Sequence, residues 1–196
     1  MLYKINNIPL IFHVVEKVNL SKNNLNIIVA TSVKKSDDKL IKVLKKKNIN
    51  YFRGSLKNVA LRLLKVAKIN KAKYFLRISA DSPLIDYKNI DLAISLYKQN
   101  KNFDLITNVF PKTFPKGQSV EIIKTSILKK YIAKFSNEDK EHVTRYFYRN
   151  PQKIKILNFK NMNKTKLIDQ SVDTKEDLVF IMKKFKNKFI NENKKN

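Results

Sequence analysis

The chain has 196 residues, and its 42 Lys and Arg against 16 Asp and Glu give a formal charge of +26. This length suits one domain with a real core, since chains of this size hide roughly 70% of their unfolded surface, and a 43% apolar content excludes a disordered chain despite the charge. The lack of cysteine excludes disulfides, thiolate metal sites and cysteine nucleophiles, and with only Gly54 and Gly117 present neither a Walker loop nor a G-x-G-x-x-G fingerprint can form.

Short β-branched runs alternate with longer segments of helical period along the chain. Asn26 to Ala30 predicts a strand that ends at Thr31 and Ser32, and Asp37 to Lys47 a helix with Leu40, Ile41 and Leu44 on one face. Ile49 to Phe52 is the next expected strand, followed by a helix over Leu56 to Ile69 with Val59, Leu63, Val66 and Ala67 inward. Tyr74 to Ile78 predicts a buried strand closed by the loop 79–83, then a helix over Ile90 to Tyr97. Leu105 and Ile106 form a short strand, Phe110 to Lys116 a loop around Pro111 and Pro115, and Ser119 to Ile123 another strand. Helices over Ile127 to Phe135 and Glu138 to Tyr148, a strand over Ile154 to Leu157 and a helix over Lys175 to Phe185 complete the series. This alternation predicts an α/β fold, a mostly parallel sheet with helices on both faces. One domain would span 1–190, with a small arm near 110–150 and a basic tail at 191–196.

The charge invites a nucleic-acid partner, because neutralising phosphates drives sequence-independent binding. Only five of the basic residues are arginine, however, at 53, 62, 77, 145 and 149, and the lysines are spread among many Asn and Ile. Bidentate phosphate and base recognition favours arginine, so drift toward A/T-rich codons explains the charge better than a nucleic-acid surface. The apolar stretch from Ile8 to Val15 is broken by His13 and followed by Glu16, unlike a signal peptide. No run approaches the ~18 apolar residues of a membrane span. The expectation is a cytoplasmic protein without a membrane partner.

In open α/β sheets ligands bind beyond the carboxyl ends of the strands. That rule gathers Thr31 and Ser32, then Arg53, Gly54 and Ser55, then Ser79 to Ser82 on one rim. Acidic residues are scarce enough for their positions to carry information. Asp81 follows a buried strand and precedes Pro83, where it either forms a turn or projects into the cleft. Asp173 lies just before the last helix, where it either caps that helix or faces the same cleft. Two converging carboxylates would suit Mg2+, which takes hard oxygen ligands and is commonly shared with substrate phosphates.

Six segments, in order, resemble the cytidylyltransferase family of the acylneuraminate and deoxy-octulosonate enzymes, and most nearly its spore coat polysaccharide branch. Residues 28–32 (IVATS) resemble IVVATS, and 52–55 with Val59 resemble FRGS...V. Residues 77–86 (RISADSPLID) resemble RITGDxPLIDP, and Pro115, Lys116 and Gly117 with Val120 and Glu121 resemble PDGLDVE. Residues 141–144 (EHVT) resemble REHVT, and 171–178 (SVDTKEDL) resemble TVDTPEDL. The resemblance implies a Rossmann-like nucleotide-diphospho-sugar transferase fold. It also implies a reaction of CTP with an acidic or related sugar to give a CMP-sugar and pyrophosphate for surface polysaccharide or glycan synthesis. Asp81 and Asp173 match the family's catalytic, metal-binding aspartates, with Mg2+ as cofactor. Thr31, Ser32, Arg53, Ser55 and Arg77 match its nucleotide or substrate side. Glu121 and His142 match positions near its sugar pocket or dimer-forming arm, with a homodimer implied.

Departures are specific too. Residues 5–15 resemble IGGKPLLEHVI with Ile8 in place of lysine, Ala80 replaces a glycine, and Ser119 replaces an aspartate. The family's first strand and its ARxxSxRLPxK loop, which holds the triphosphate, precede the point where this sequence begins. A late-assigned start or shortened gene would account for that. So would a non-catalytic relative that binds a sugar or an assembly partner.

Overall fold

The computed structural model describes residues 2–162 and 168–193. It opens on a hairpin of two short strands, β1 (Lys4–Ile5) and β2 (Ile8–Pro9), turned by Asn6 and Asn7 at φ of 50° and 63°. Two consecutive positive-φ residues make the hairpin turn that matches strand twist, and asparagine tolerates it better than most side chains. Helix α1 (Leu10–Asn19) follows at once, with Leu10, Ile11, Val14, Val15 and Val18 buried. The apolar stretch 8–15 is thus a hairpin arm running into a core helix.

β3 (Val29–Ser32) and β4 (Tyr51–Gly54) pair in parallel, and α2 (Asp38–Lys46) between them buries the expected Leu40, Ile41 and Leu44. Helix α3 (Val59–Ile69) buries Ala60, Leu64 and Ala67, whereas Val59 and Leu63 of the expected face are only partly covered. The helix begins later than its spacing suggests because Asn58 caps it, accepting from the Leu61 N–H at 2.8 Å.

β5 (Tyr74–Arg77), α4 (Tyr87–Gln99), β6 (Leu105–Thr107), β7 (Glu121–Lys124), α5 (Thr125–Tyr131), α6 (Asn137–His142), α7 (Arg145–Arg149) and β8 (Ile156–Asn158) follow, and α8 (Lys175–Asn193) ends the series. The helix expected over 138–148 is interrupted. Val143 takes φ 45° between α6 and α7 and is fully buried, which turns Thr144 toward the sheet. The last helix runs past its expected end through residue 193, so 191–193 of the expected tail are helical and 194–196 lie outside the described residues.

The four-stranded sheet has the order β5-β7-β6-β8. β6 and β8 run parallel, as β3 and β4 do, while β7 runs against both its neighbours. Alternate residues of the sheet feed two cores. Leu105 and Ile123 face α3, α5 and α7 with Ala60, Leu128, Tyr131 and Phe147, and Ile106 and Ile122 face α1 and α4 with Val14, Val18, Ile90 and Ala93. Helices therefore cover both faces, the α/β Rossmann-like layering expected, and α5 to α7, near the expected arm, pack into the first of these cores.

Among the described residues β3 pairs with β4 alone and β5 with β7 alone, so the strands form two separate sheets. Two helices span the gap. Helix α1 places Ile11 with Leu40, Leu44 and Val29 on the β3 side, and Val14 and Val18 with the larger sheet. Helix α3 packs on β3 and β4 and also on α5 and α6. The outer strands are less covered than the inner ones: every residue of β4, β5 and β8 is half-buried, whereas Leu105 to Thr107 and Glu121 to Ile123 are buried. No helix among the described residues is long and apolar enough to cross a membrane.

Candidate active site

Strand register builds the first part of the site. Arg77 lies beside Glu121, Glu121 beside Thr107, and Thr107 beside Asn158, one row across the carboxyl ends of β5, β6 and β8. Glu121 is only 2% exposed, yet its carboxylate is fully engaged. Arg77 Nη1 donates to Oε2 at 2.5 Å, and Thr144 Oγ1 and the Tyr148 hydroxyl donate to Oε1 at 2.7 and 2.5 Å. Tyr148 also meets Thr107 Oγ1 at 2.8 Å, and Phe110 stacks on its ring with centroids 5.2 Å apart. Burial, and then the Glu121 charge, push the Tyr148 phenol far above its ordinary pKa, so it stays a donor.

The β3–β4 rim is organised by Asp37. Its Oδ2 accepts from Thr31 Oγ1 at 2.7 Å, Ser32 N at 3.0 Å and Ser32 Oγ at 2.6 Å. Burial works against the Asp37 charge, but these bonds from Ser32 and Thr31, with Arg53 nearby, outweigh it and hold the carboxyl below its usual value. Arg53 spends its guanidinium on the same loop, donating to Ser32 O at 3.0 Å and Lys34 O at 2.9 Å and pairing with Asp38 at 2.8 Å. The Ser55 hydroxyl accepts from Asn58 N at 3.0 Å, and its carbonyl accepts from Arg62 Nη1 at 2.7 Å. Arg62 lies so close to Gly54 that a Cβ there would meet its Cγ at 2.8 Å, and its Nε is buried with no hydrogen-bond partner among the described residues.

The third part joins three loops around Asp81 and Asp173. Asp81 is half-buried and accepts from Ser82 Oγ at 2.8 Å, while its carbonyl accepts from Val172 N at 2.9 Å. That backbone bond brings the segment before α8 against the end of β5. Helix α8 is capped by its own Thr174, whose hydroxyl accepts from Asp177 N at 3.1 Å while Asp177 accepts from Thr174 N at 2.9 Å. Asp173 is therefore free of capping, and its carboxylate accepts from Lys116 Nζ and, at 3.5 Å, from Ser171 Oγ. Lys116 also lies 3.7 Å from Asp169, and its carbonyl accepts from Gln170 N at 2.9 Å. Gly117, at φ 88°, presses so closely on Gln170 that a Cβ would lie 2.5 Å from its carbonyl carbon. Gln118 ties the corner to Leu84, Asp86, Asn108 and Gln170.

The residues singled out in the sequence thus fall into three groups. Arg77 and Glu121 form a buried pair, Asp81 and Asp173 sit on loops joined through their backbones, and Thr31, Ser32, Arg53 and Ser55 hold the β3–β4 rim in shape. His142 ends α6 with an exposed side chain, and its carbonyl accepts from Thr144. Reasoning from sequence missed Lys116, Thr144, Tyr148 and Asp37. Thr144 and Tyr148 carry a legible signal, being four residues apart and hence on one helical face. Among the described residues no three Asp, Glu, His or Cys side chains form a metal cage. The donor set, two hard carboxylates at the mouth of a strand rim, fits a cation that takes its other ligands from phosphate and water.

The sequence pattern of the cytidylyltransferase family matches residues 1–194. An uncharacterised protein of Methanocaldococcus jannaschii is 32% identical over 143 residues, covering 72% of this chain and 57% of its own length. The spore coat polysaccharide biosynthesis protein SpsF of Bacillus subtilis is 27% identical over 173 residues, covering 86% of this chain and 70% of its own. This chain thus spans less than two thirds of the archaeal relative. A cytidylyltransferase structure from Leptospira borgpetersenii superposes with a TM-score of 0.85 at 29% identity, covering 90% of this chain and 75% of that one. A CMP-2-keto-3-deoxy-manno-octonic acid synthetase solved with CTP gives a TM-score of 0.72 at 13% identity over 95% of this chain and 91% of that one, a likeness of fold. With the pattern running nearly end to end over a rim built from the matching segments, the chain belongs to the cytidylyltransferase family.

Proposed function

We propose that this protein acts in nucleotidyl transfer, moving CMP from CTP to a sugar, in the first instance an acidic one, for surface polysaccharide or glycan synthesis. The observation that carries the reading is the bond from Val172 N to Asp81 O, which sets two loops bearing acidic residues side by side at the carboxyl ends of the strands. A sugar hydroxyl oxygen attacks the α-phosphorus of CTP and gives up its proton to water, a new O–P bond forms, the bond from the α-phosphorus to the oxygen bridging to the β-phosphate breaks, and pyrophosphate leaves. Asp81 and Asp173 would hold Mg2+, which supplies charge compensation for the departing pyrophosphate. Glu121, held by Arg77, Thr144 and Tyr148, keeps the row beneath the acceptor rigid, and Thr31 and Ser32, bonded to Asp37, hold the β3–β4 rim in shape beside it. The link to a polysaccharide is suggested by the name of SpsF, and the acidic sugar and a homodimer by the family resemblance; sedimentation equilibrium would test the dimer.

The decisive assay is pyrophosphate release in the presence of Mg2+, with CTP compared against the other nucleoside triphosphates and with acidic sugars as acceptors. The reading predicts CTP-dependent release that Asp81→Asn lowers by at least ~100-fold, a size typical of losing one preorganised charge-stabilising group. Release unaffected by Asp81→Asn would refute it.

A further inference from the structure

We infer that Lys116 is a tethered cation that competes with a divalent metal for the Asp173 carboxylate and so sets the metal affinity of the site. The inference rests on the reading of Asp81 and Asp173 as metal-holding residues. Lys116 Nζ donates to Asp173 Oδ2 and lies 3.7 Å from Asp169. Its ammonium thus sits where an incoming cation needs the same oxygen. The backbone fixes it there: Gln170 N binds the Lys116 carbonyl, and Gly117 is wedged at positive φ against Gln170. A lysine on a freely moving loop would visit the carboxylate only occasionally. This one is anchored to the segment, 169–173, that carries its target.

The block is graded rather than absolute. Lys116 and Asp173 are 50% and 46% exposed, so the pair is solvated and its displacement costs little. A divalent ion brought in with a nucleotide triphosphate arrives with extra ligands and can displace the ammonium, whereas the free ion must compete for the carboxylate unaided. Once displaced, Lys116 remains at the rim as a donor for phosphate oxygens. The lysine thereby favours metal that enters together with nucleotide over metal that enters alone.

The test uses free Mn2+ and the intact chain, with unbound Mn2+ read from its electron paramagnetic resonance signal and no nucleotide present. Lys116→Met is expected to tighten Mn2+ binding about two- to fivefold, the range that an exposed ion pair supplies, and Lys116→Arg to leave it unchanged. Lys112→Met, which removes an equal charge from the same loop, is expected to leave it unchanged as well. A Lys116→Met affinity within ~1.5-fold of the parent, or a gain that Lys112→Met reproduces or that persists when Asp173→Asn is added, overturns the inference. Failure of the underlying reading looks different: Mn2+ binding by the parent chain would then be indifferent to both Asp81→Asn and Asp173→Asn.

Discussion

Replacing Glu121 by glutamine keeps the shape of the buried network and changes one group. Both hydroxyls, from Thr144 and Tyr148, donate to Oε1, and Arg77 donates to Oε2. A glutamine that puts its carbonyl at the Oε1 position satisfies both hydroxyls but turns its NH2 toward Arg77, donor against donor. The flipped amide would satisfy Arg77 and strand the hydroxyls instead. The first arrangement is cheaper, and its cost is one charge-assisted bond, about 1.5–3 kcal/mol. The full penalty for breaking a buried pair, about 3–5 kcal/mol, is not reached because Arg77 is 24% exposed and can turn toward water. The expected loss is about 2–3 kcal/mol, or a fall in melting temperature of about 4–12 °C for a chain of this size. Urea unfolding followed by far-UV circular dichroism suits a protein without tryptophan. Thr144→Val, which removes one hydroxyl donor, should cost only about 1 kcal/mol. Glu121→Gln combined with Arg77→Met should cost at least about 1 kcal/mol less than the two single changes together. A melting shift below ~2 °C for Glu121→Gln, or strict additivity in the double variant, would refute a coupled charge network at this row.

Thr174→Ala should lower stability by about 1 kcal/mol through loss of the α8 cap and leave Mn2+ binding intact, the reverse of Asp173→Asn, and urea titration with metal binding separates the two. Gly117→Ala should destabilise by at least about 1–3 kcal/mol, because the new Cβ meets the Gln170 backbone at positive φ, and a variant as stable as the parent would count against that packing. Asp139 is 1% exposed and paired with Arg149 at 2.6 Å. Burial opposes its charge, but the Ser136 hydroxyl and N–H and the Arg149 guanidinium outweigh this and hold its pKa below the usual value. Its contribution should therefore be complete above the unfolded carboxyl value of about 3.9 and disappear as pH falls through the lower folded value. The stability gap between the parent and Asp139→Asn, measured by urea from pH 7 to pH 2, should narrow only in that acid range.

Helical period and strand composition were enough to place most elements: Leu40, Ile41 and Leu44 share one helical face, and the β-branched and aromatic runs expected at 74–78 and 119–123 form strands at 74–77 and 121–124. The failures have local causes. The break at Val143 was hidden because a β-branched residue at positive φ is the last that propensity would choose, and its burial and the reach of Thr144 to Glu121 offset the strain. The reversed direction of β7 leaves no mark on a buried apolar strand. The resemblance singles out Asp81, Asp173, Arg77 and Glu121 by position alone, whereas the partners that the structure gives them come from register and loop contact. Nothing in the spacing of residues 116 and 173 announces that an ammonium and a carboxylate meet across 57 positions. Arg53 matches a position on the family's nucleotide or substrate side, and the structure shows its guanidinium already spent on the backbone of its own rim and on Asp38.

The division of the strands into two sheets has a consequence for amide hydrogen exchange. β6 and β7 have a partner on both sides, so their N–H groups open only when the larger sheet itself comes apart. Among the described residues β3 and β5 have a partner on one side only, and in an extended strand alternate N–H groups point to opposite sides. Their amides should sort residue by residue into slowly and rapidly exchanging sets, with the rapid set marking the unpaired margin of each sheet. A ligand or chain segment that settled on those margins would register there as newly protected amides, before any change in the rest of the fold.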